Sequence, residues 1–197
     1  MRVCVYCGSS GGSDRYLASA REVGAILARR GIEVVYGGAR VGMMGALADG
    51  ALAAGGRVVG VLPEALVGWE VAHEGLTELH LVGGLHERKA LMTALSDAVL
   101  ALPGGAGTLD ELFETWTWAQ LKVHAKPVGV LNVAGFFDPM LAMLDHMVAE
   151  GFLKRPYRDM LLVDDDLDRL LDRFAGYRPP DYTWSDDPGD AAGSSSL

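Results

Sequence analysis

A glycine-rich turn and a carboxylate lie close together in the middle of the chain. Residues 103–108 read PGGAGT, and they join an apolar run to a helical pattern that includes Glu111. Glycines let the backbone approach a ligand closely, and the N–H groups at the start of a helix favour an anion. The turn therefore predicts a phosphate site with a carboxylate about one helical turn away.

The same residues also allow a purely structural interpretation. Thr108 and Glu111 match the S/T-x-x-E capping box, in which the glutamate folds back onto the first turn of its own helix. Arg88 and Lys89, one predicted helix upstream, favour a ligand site, as do two further glycine-rich turns at 7–12 and 37–42. The two interpretations of Glu111 stay open at this point.

Strand and helix patterns alternate along the chain. Alternation of this kind is typical of βαβ units. It predicts an α/β fold, a Rossmann-like doubly wound parallel sheet with helices on both faces, in which ligands bind beyond the carboxyl ends of the strands. All three glycine-rich turns fall at that edge. We predict strands over 2–6, 32–36, 57–62, 77–82, 97–102 and 127–132, and helices over 14–30, 43–54, 86–95, 109–122, 136–150 and 167–174.

Length and composition predict one folded domain with a polar tail. The chain has 197 residues, of which 50% are hydrophobic, and this suits a compact α/β protein. We assign residues 1–177 to a single Rossmann-like domain. Residues 178–197 are rich in Pro, Asp, Gly and Ser, so we predict a disordered C-terminal tail there.

Charge and cysteine use restrict the partners and the location. The formal net charge of −9 argues against nucleic acid or an anionic membrane, because both require a basic surface. Cys4 and Cys7 lie in a predicted strand, where residues three apart point to opposite faces, and no second pair completes a zinc site. No signal peptide and no apolar run of ~20 residues is evident. We expect a cytoplasmic protein.

Neither the histidines nor the aspartates form a recognisable metal motif. The five histidines lack H-E-x-x-H or any other ligand spacing. Asp164, Asp165 and Asp166 come directly before a predicted helix, where acidic residues favour the helix dipole, so capping explains them. We predict no metal and no cofactor.

Several segments together resemble the LONELY GUY (LOG) family of cytokinin riboside 5′-monophosphate phosphoribohydrolases, whose signature is P-G-G-x-G-T-x-x-E. Residues 103–111 match the signature, and the resemblance covers nearly the whole chain before the tail. The chain departs from the family pattern at Ala39 and Lys122, where glycine is usual, and at Leu85, where methionine is usual. Matches elsewhere are CVYCGSS at 4–10, YGG at 36–38, GMMG at 42–45, HERKA at 86–90, TWAQL at 117–121 and HAKP at 124–127.

The resemblance implies an activity and a set of site residues. Arg88 and Glu111 match the family's catalytic arginine and glutamate. The implied reaction is hydrolysis of the N-glycosidic bond of an adenosine 5′-monophosphate, N6-modified in cytokinins, to the free base and ribose 5-phosphate. No cofactor is implied, and similar proteins are homodimers. The implied substrate-binding residues are Glu70, Lys89, Gly105, Ala106, Gly107, Thr108 and Thr117.

Three other functions bear comparison with this one. A general nucleosidase would accept plain nucleoside 5′-monophosphates. A molybdenum cofactor carrier shares the fold and the glycine signature without catalysis, but binding alone does not require Arg88 with Glu111. Lysine decarboxylase, a label long attached to the family, would need pyridoxal phosphate on a Schiff-base lysine, and none of the four lysines has a supporting motif.

Overall fold

A single parallel sheet of seven strands organises the chain. In the computed structural model, which describes residues 1–67 and 72–181, every pair of neighbouring strands runs parallel. The strand order is β4-β3-β2-β1-β5-β6-β7. The strands are β1 (Arg2–Tyr6), β2 (Glu33–Tyr36), β3 (Val58–Pro63), β4 (Glu78–Val82), β5 (Ala98–Ala101), β6 (Val128–Leu131) and β7 (Leu161–Asp164).

Helices cover both faces of the sheet, as predicted. Val3 and Val5 of β1 face one apolar core, and Cys4 and Tyr6 face the other, because alternate residues of a strand point to opposite sides. Cys4 and Cys7 are accordingly buried in different cores and do not form a disulfide. The helices are α1 (Asp14–Arg29), α2 (Gly42–Ala53), α3 (Leu85–Ala94), α4 (Ala106–Gln120), α5 (Asp138–Ala149), α6 (Arg155–Asp159) and α7 (Leu167–Ala175).

The direction of winding changes between β1 and β5. From β1 the chain builds outward through β2 and β3 to the edge strand β4, and it then returns to place β5 on the other side of β1. Such a reversal opens a crevice at the carboxyl ends of the two central strands, where ligands of open α/β sheets bind. The turns that follow β1 and β5 therefore meet at the predicted binding edge.

Two elements near the C-terminal end were not predicted. They are the short helix α6 and the edge strand β7, which pairs with β6 from Val128 and Leu161 onward. The capping prediction is confirmed for Asp166, whose side chain accepts a hydrogen bond of 2.9 Å from the backbone N–H of Arg169 and so caps α7, whereas Asp164 is the last residue of β7. None of the described helices is both long and apolar enough to cross a membrane.

Candidate active site

A cleft of about 250 Å³ opens at the switch point between β1 and β5. Parts of two turns form most of its wall, namely Cys7 to Ser9 of the β1 turn (Cys7 to Ser10) and Gly105 to Thr108 of the signature turn (Pro103 to Thr108). Arg88 of α3 and Glu111 of α4 complete it, so the residues predicted to act in catalysis lie in one cavity. The cleft is lined by Cys7, Gly8, Ser9, Met44, Arg88, Gly105, Ala106, Gly107, Thr108 and Glu111.

Helix α4 begins three residues earlier than its sequence pattern suggested. Gly105 is the N-cap and Ala106 the first helical residue, and the N-cap residue, being a glycine, has no side chain to cap the helix. Thr108 is therefore the third residue of the helix, and Glu111 is the sixth. A capping box requires its glutamate at the third position, so the capping interpretation of Thr108 and Glu111 is wrong. Glu111 instead lines the cleft.

The glycines of the signature turn differ in their surroundings. A Cβ atom on Gly104 would overlap the Thr108 hydroxyl and lie 2.8 Å from the backbone nitrogen of Gly8, so only glycine fits there. Around Gly105 and Gly107 such an atom would meet nothing within 4 Å. Gly104 thus packs the two turns together, and Gly105 and Gly107 leave open space beside the first N–H groups of α4.

Arg88 is held by the ends of two strands. Its side chain is buried, with 6% of its surface exposed. Nε donates to the carbonyl of Val61 at 3.1 Å, and Nη2 donates to the carbonyl of Gly37 at 2.9 Å. A Cβ atom at Gly37 would overlap Nη2, so glycine at this position makes room for the guanidinium group. The cation is fixed in place before any ligand binds.

Cys7 lies in the cleft without the properties of a nucleophile. Burial raises the pKa of its thiol well above the ordinary value, and the negative charge of Glu111 raises it further. The reactive form of cysteine is the thiolate, which this environment disfavours. Cys7 therefore serves as an apolar part of the cleft floor, beside Met44.

The side chain of Lys89 joins α3 to α4. Its ammonium group lies 2.9 Å from Asp110 Oδ2 and 2.8 Å from Glu114 Oε2. Burial lowers the pKa of Lys89, but these two carboxylates outweigh burial and the net shift is upward. The side chain does not line the cavity. Its assignment as a substrate contact stays a prediction, and its visible role is to fix the helix that carries Glu111.

Thr117, another predicted substrate contact, does not line the observed cleft. Thr117 is exposed on α4, six residues after Glu111 and so about 120° around the helix from it. Glu70 falls outside the described residues. By contrast, Gly105, Ala106, Gly107 and Thr108 all line the cleft. These four predicted residues therefore lie together in one wall of the cleft, and their role as substrate contacts stays a prediction.

A buried hydroxyl cluster supports the two helices of the site. The Tyr6 hydroxyl lies 2.9 Å from Thr115 Oγ1 on α4 and 3.4 Å from Thr93 Oγ1 on α3. Burial raises the pKa of Tyr6 well above its ordinary value, so the phenol stays protonated and can donate. The central strand, α3 and α4 are thereby linked beneath Arg88 and Glu111.

The β1 turn and Met44 complete the cleft, although neither was assigned to the site. The sequence predicts the β1 turn as one of three glycine-rich turns at the carboxyl edge of the sheet. That β1 lies beside β5 depends on strand order, and local patterns do not give strand order. Strand order is what brings Cys7, Gly8 and Ser9 against the signature turn.

Together these features define a class of site. An open helix start for an anion, a fixed guanidinium and a carboxylate at the switch point of a Rossmann-like sheet suit a phosphorylated sugar or nucleotide. A family model described as "Possible lysine decarboxylase" matches residues 44–174. Curated relatives agree with the LOG resemblance, and the chain belongs to the LOG family.

Two relatives illustrate the similarity. A probable cytokinin riboside 5′-monophosphate phosphoribohydrolase of Oryza sativa subsp. japonica is 47% identical, with 92% of this chain and 74% of the relative covered. A cytokinin riboside 5′-monophosphate phosphoribohydrolase of Rhodococcoides fascians is 46% identical, with 86% of each chain covered.

Solved structures share the fold at low sequence identity. The molybdenum cofactor carrier protein of Chlamydomonas reinhardtii superposes with a TM-score of 0.66 at 21% identity, over 89% of this chain and 98% of that one. The molybdenum cofactor binding protein of Rippkaea orientalis gives a TM-score of 0.66 at 20% identity, over 89% and 94% of the chains. At these identities the similarity establishes the fold alone.

The description of the family model as a lysine decarboxylase does not fit the cleft. Such an enzyme would bind pyridoxal phosphate through a lysine Schiff base. None of the four lysines, all of which lie in the described part of the chain, lines the cavity. Lys89, which follows Arg88 in the sequence, is paired with two carboxylates.

Proposed function

We propose that the protein is a phosphoribohydrolase that cleaves the N-glycosidic bond of adenosine 5′-monophosphates, with N6-modified (cytokinin) nucleotides as its substrates. The observation that carries the proposal is the placement of Glu111 and Arg88 in one cleft with the open start of α4. Binding of a phosphorylated ligand would need the helix start alone. A fixed cation and a carboxylate beside it supply groups that act on the sugar.

The reaction adds water across the bond between C1′ of the ribose and the base nitrogen. The electron pair of that bond leaves with the base, which takes up a proton, and water supplies the hydroxyl group on C1′. Positive charge develops on the ribose ring as the bond breaks. The Glu111 carboxylate stabilises that charge and orients the attacking water.

The remaining residues hold the substrate in position. Gly105 to Thr108 bind the 5′-phosphate through the N–H groups of the helix start. Arg88, fixed by Gly37 and Val61, orients the oxygens of the ribose phosphate. Lys89 and Thr117 are proposed as additional substrate contacts from the family pattern, together with Glu70. Phosphate binding away from the reacting bond supplies positioning energy for catalysis.

Product analysis tests this function directly. The protein is incubated separately with AMP and with N6-isopentenyl AMP, and the products are separated by chromatography. Release of the free base and ribose 5-phosphate, faster from the N6-modified nucleotide, is the expected result. Equal rates would instead indicate a general nucleoside monophosphate nucleosidase. Tight binding of either nucleotide without cleavage would indicate a carrier and contradict the proposal.

We also propose that the protein is a cytoplasmic homodimer. Exposed apolar side chains after α4 and around α5 support an interface between two copies, namely Leu121 (55% exposed), Val123 (69%), Met143 (50%) and Phe152 (82%). Both cysteines are free and buried, which suits a reducing compartment. Light scattering at micromolar concentration should give twice the mass of the chain, and a monomer would contradict the dimer.

A further inference from the structure

We propose that Ser9 is a further substrate-binding residue, and that its hydroxyl group donates a hydrogen bond to the 5′-phosphate of the nucleotide. The inference rests on the function proposed above and adds a residue to it. Ser9 lies in the β1 turn, is exposed, and lines the same cleft as Gly105 to Thr108. The phosphate would then be held from two turns rather than one.

Backbone hydrogen bonds fix the β1 turn on both sides. The N–H group of Gly8 donates to the carbonyl of Pro103 at 3.2 Å, which joins the β1 turn to the signature turn. The carbonyl of Gly8 accepts from the N–H group of Met43 at 3.1 Å, which joins it to α2. Ser9 follows Gly8 directly, so its position is set by two neighbouring elements.

Close packing at two glycines holds the turn still more firmly. Gly42 has a φ of +57°, and a Cβ atom there would overlap the carbonyl oxygen of Ser9. On the other side, a Cβ atom at Gly104 would lie 2.8 Å from the nitrogen of Gly8. The backbone of Ser9 is therefore preorganised in the free protein, as a ligand-binding residue requires.

The hydroxyl group of Ser9 is suited to a phosphate oxygen. Within residues 1–67 and 72–181 it has no hydrogen-bond partner from the protein. A phosphate monoester carries three terminal oxygens, and the start of α4 supplies donors from one side. The Ser9 hydroxyl group supplies a neutral donor to the phosphate from the side of the β1 turn, and it adds no charge near Arg88 and Glu111.

Ser9→Ala and Ser10→Ala make a matched pair for the test. Ser10 is the next residue of the same turn and is also exposed, but it does not line the cleft. Both variants lose one exposed hydroxyl group. Turnover of AMP or its N6-isopentenyl form gives KM and kcat, and calorimetry gives the affinity for ribose 5-phosphate, which carries the phosphate without a base.

We expect Ser9→Ala to raise KM and to weaken ribose 5-phosphate binding, each roughly tenfold. The loss of one hydrogen bond to a charged group typically weakens binding by about this factor. The kcat should stay within about threefold, because the groups at C1′ are untouched. Ser9→Thr, which keeps the hydroxyl group, should recover most of the affinity. Ser10→Ala should match wild type in all three quantities.

Unchanged ribose 5-phosphate affinity in Ser9→Ala, or an equal loss in Ser10→Ala, would overturn the assignment of Ser9. A fall in kcat at constant KM and constant affinity would overturn it as well. Failure of the proposed function looks different, because the wild-type protein would then release no base. The affinity measurement for ribose 5-phosphate would still decide the role of Ser9 in that case.

Discussion

Helix α4 begins and ends in opposite ways. At its start the N-cap is Gly105, which has no side chain, and a Cβ atom on Gly105 or Gly107 would meet nothing within 4 Å. At its end the N–H group of Lys122 donates to Ala119 and that of Val123 donates to Trp118, at 3.1 and 2.9 Å. This pattern is a Schellman motif, which satisfies the last carbonyls of a helix.

The difference separates a helix end that borders the cleft from one that does not. In the proposed function, the N–H groups at the start bind the phosphate, and Gly105 and Gly107 leave room for it. The end is closed by the protein's own backbone, and Lys122 adopts a φ of +59° that glycine would adopt without strain. The Lys122 side chain lies 3.5 Å from the carbonyl of Asp181. Lys122, in place of the glycine that is usual in the family, therefore lowers the stability of the fold at a position outside the cleft.

Gly104→Ala should have the largest effect, because it disturbs the packing between the start of α4 and the β1 turn. The new methyl group would overlap the Thr108 hydroxyl and crowd the nitrogen of Gly8, so both walls of the cleft must shift. A displacement near 1 Å can cost about 100-fold in rate. We expect kcat/KM for AMP to fall on the order of 100-fold, with a lower melting temperature. Activity close to wild type would show that the two turns tolerate separation.

Gly107→Ala should show whether the open space at this glycine is needed by the ligand rather than by the packing of the protein. A methyl group at this position meets no protein atom within 4 Å, and alanine favours a helix over glycine, so the melting temperature should not fall. The group occupies open space beside the cleft, however, and we expect KM to rise roughly tenfold. Unchanged KM in steady-state assays would show that the phosphate lies elsewhere.

Lys122→Gly should have the smallest effect and the opposite sign. Relief of the left-handed conformation is worth about 1–2 kcal/mol, and the greater entropy of glycine in the unfolded chain offsets about half of this. We expect a gain of about 0.5–1 kcal/mol in the free energy of unfolding, measured by urea denaturation, with kcat unchanged. Lys122→Ala is the control, since it removes the same side chain and keeps the strain. An equal gain in both variants would assign the effect to the side chain.

The sequence predicted most elements because their patterns are local. Apolar runs marked the six strands β1 to β6, and helical spacing marked every helix except α6. Strand β7 runs into the acidic cluster from Asp164, so its pattern merged with the cap of α7. Strand β7 is also an edge strand, and its position depends on pairing with β6 rather than on its own composition.

The sequence places the residues of one continuous motif close together, and their roles in binding and catalysis stay predictions. Gly105 to Thr108 and Glu111 stand in one segment, and the structure places them in one cleft with Arg88. Ser9 and Met44 reach the same cleft through strand order and through the contact of α2 with the β1 turn. The capping interpretation of Glu111 was wrong because α4 begins within the glycine turn, where a helix is not expected from propensity.

Turnover by Glu111→Gln tests the central claim most directly. The substitution removes the charge of the carboxylate and keeps its volume, and the helix loses no cap because Glu111 is the sixth residue of α4. We predict a ~100-fold or larger loss of kcat for base release from AMP or its N6-isopentenyl form. Ribose 5-phosphate affinity and melting temperature should match wild type. Near-normal turnover in a stably folded Glu111→Gln protein would contradict the proposed mechanism.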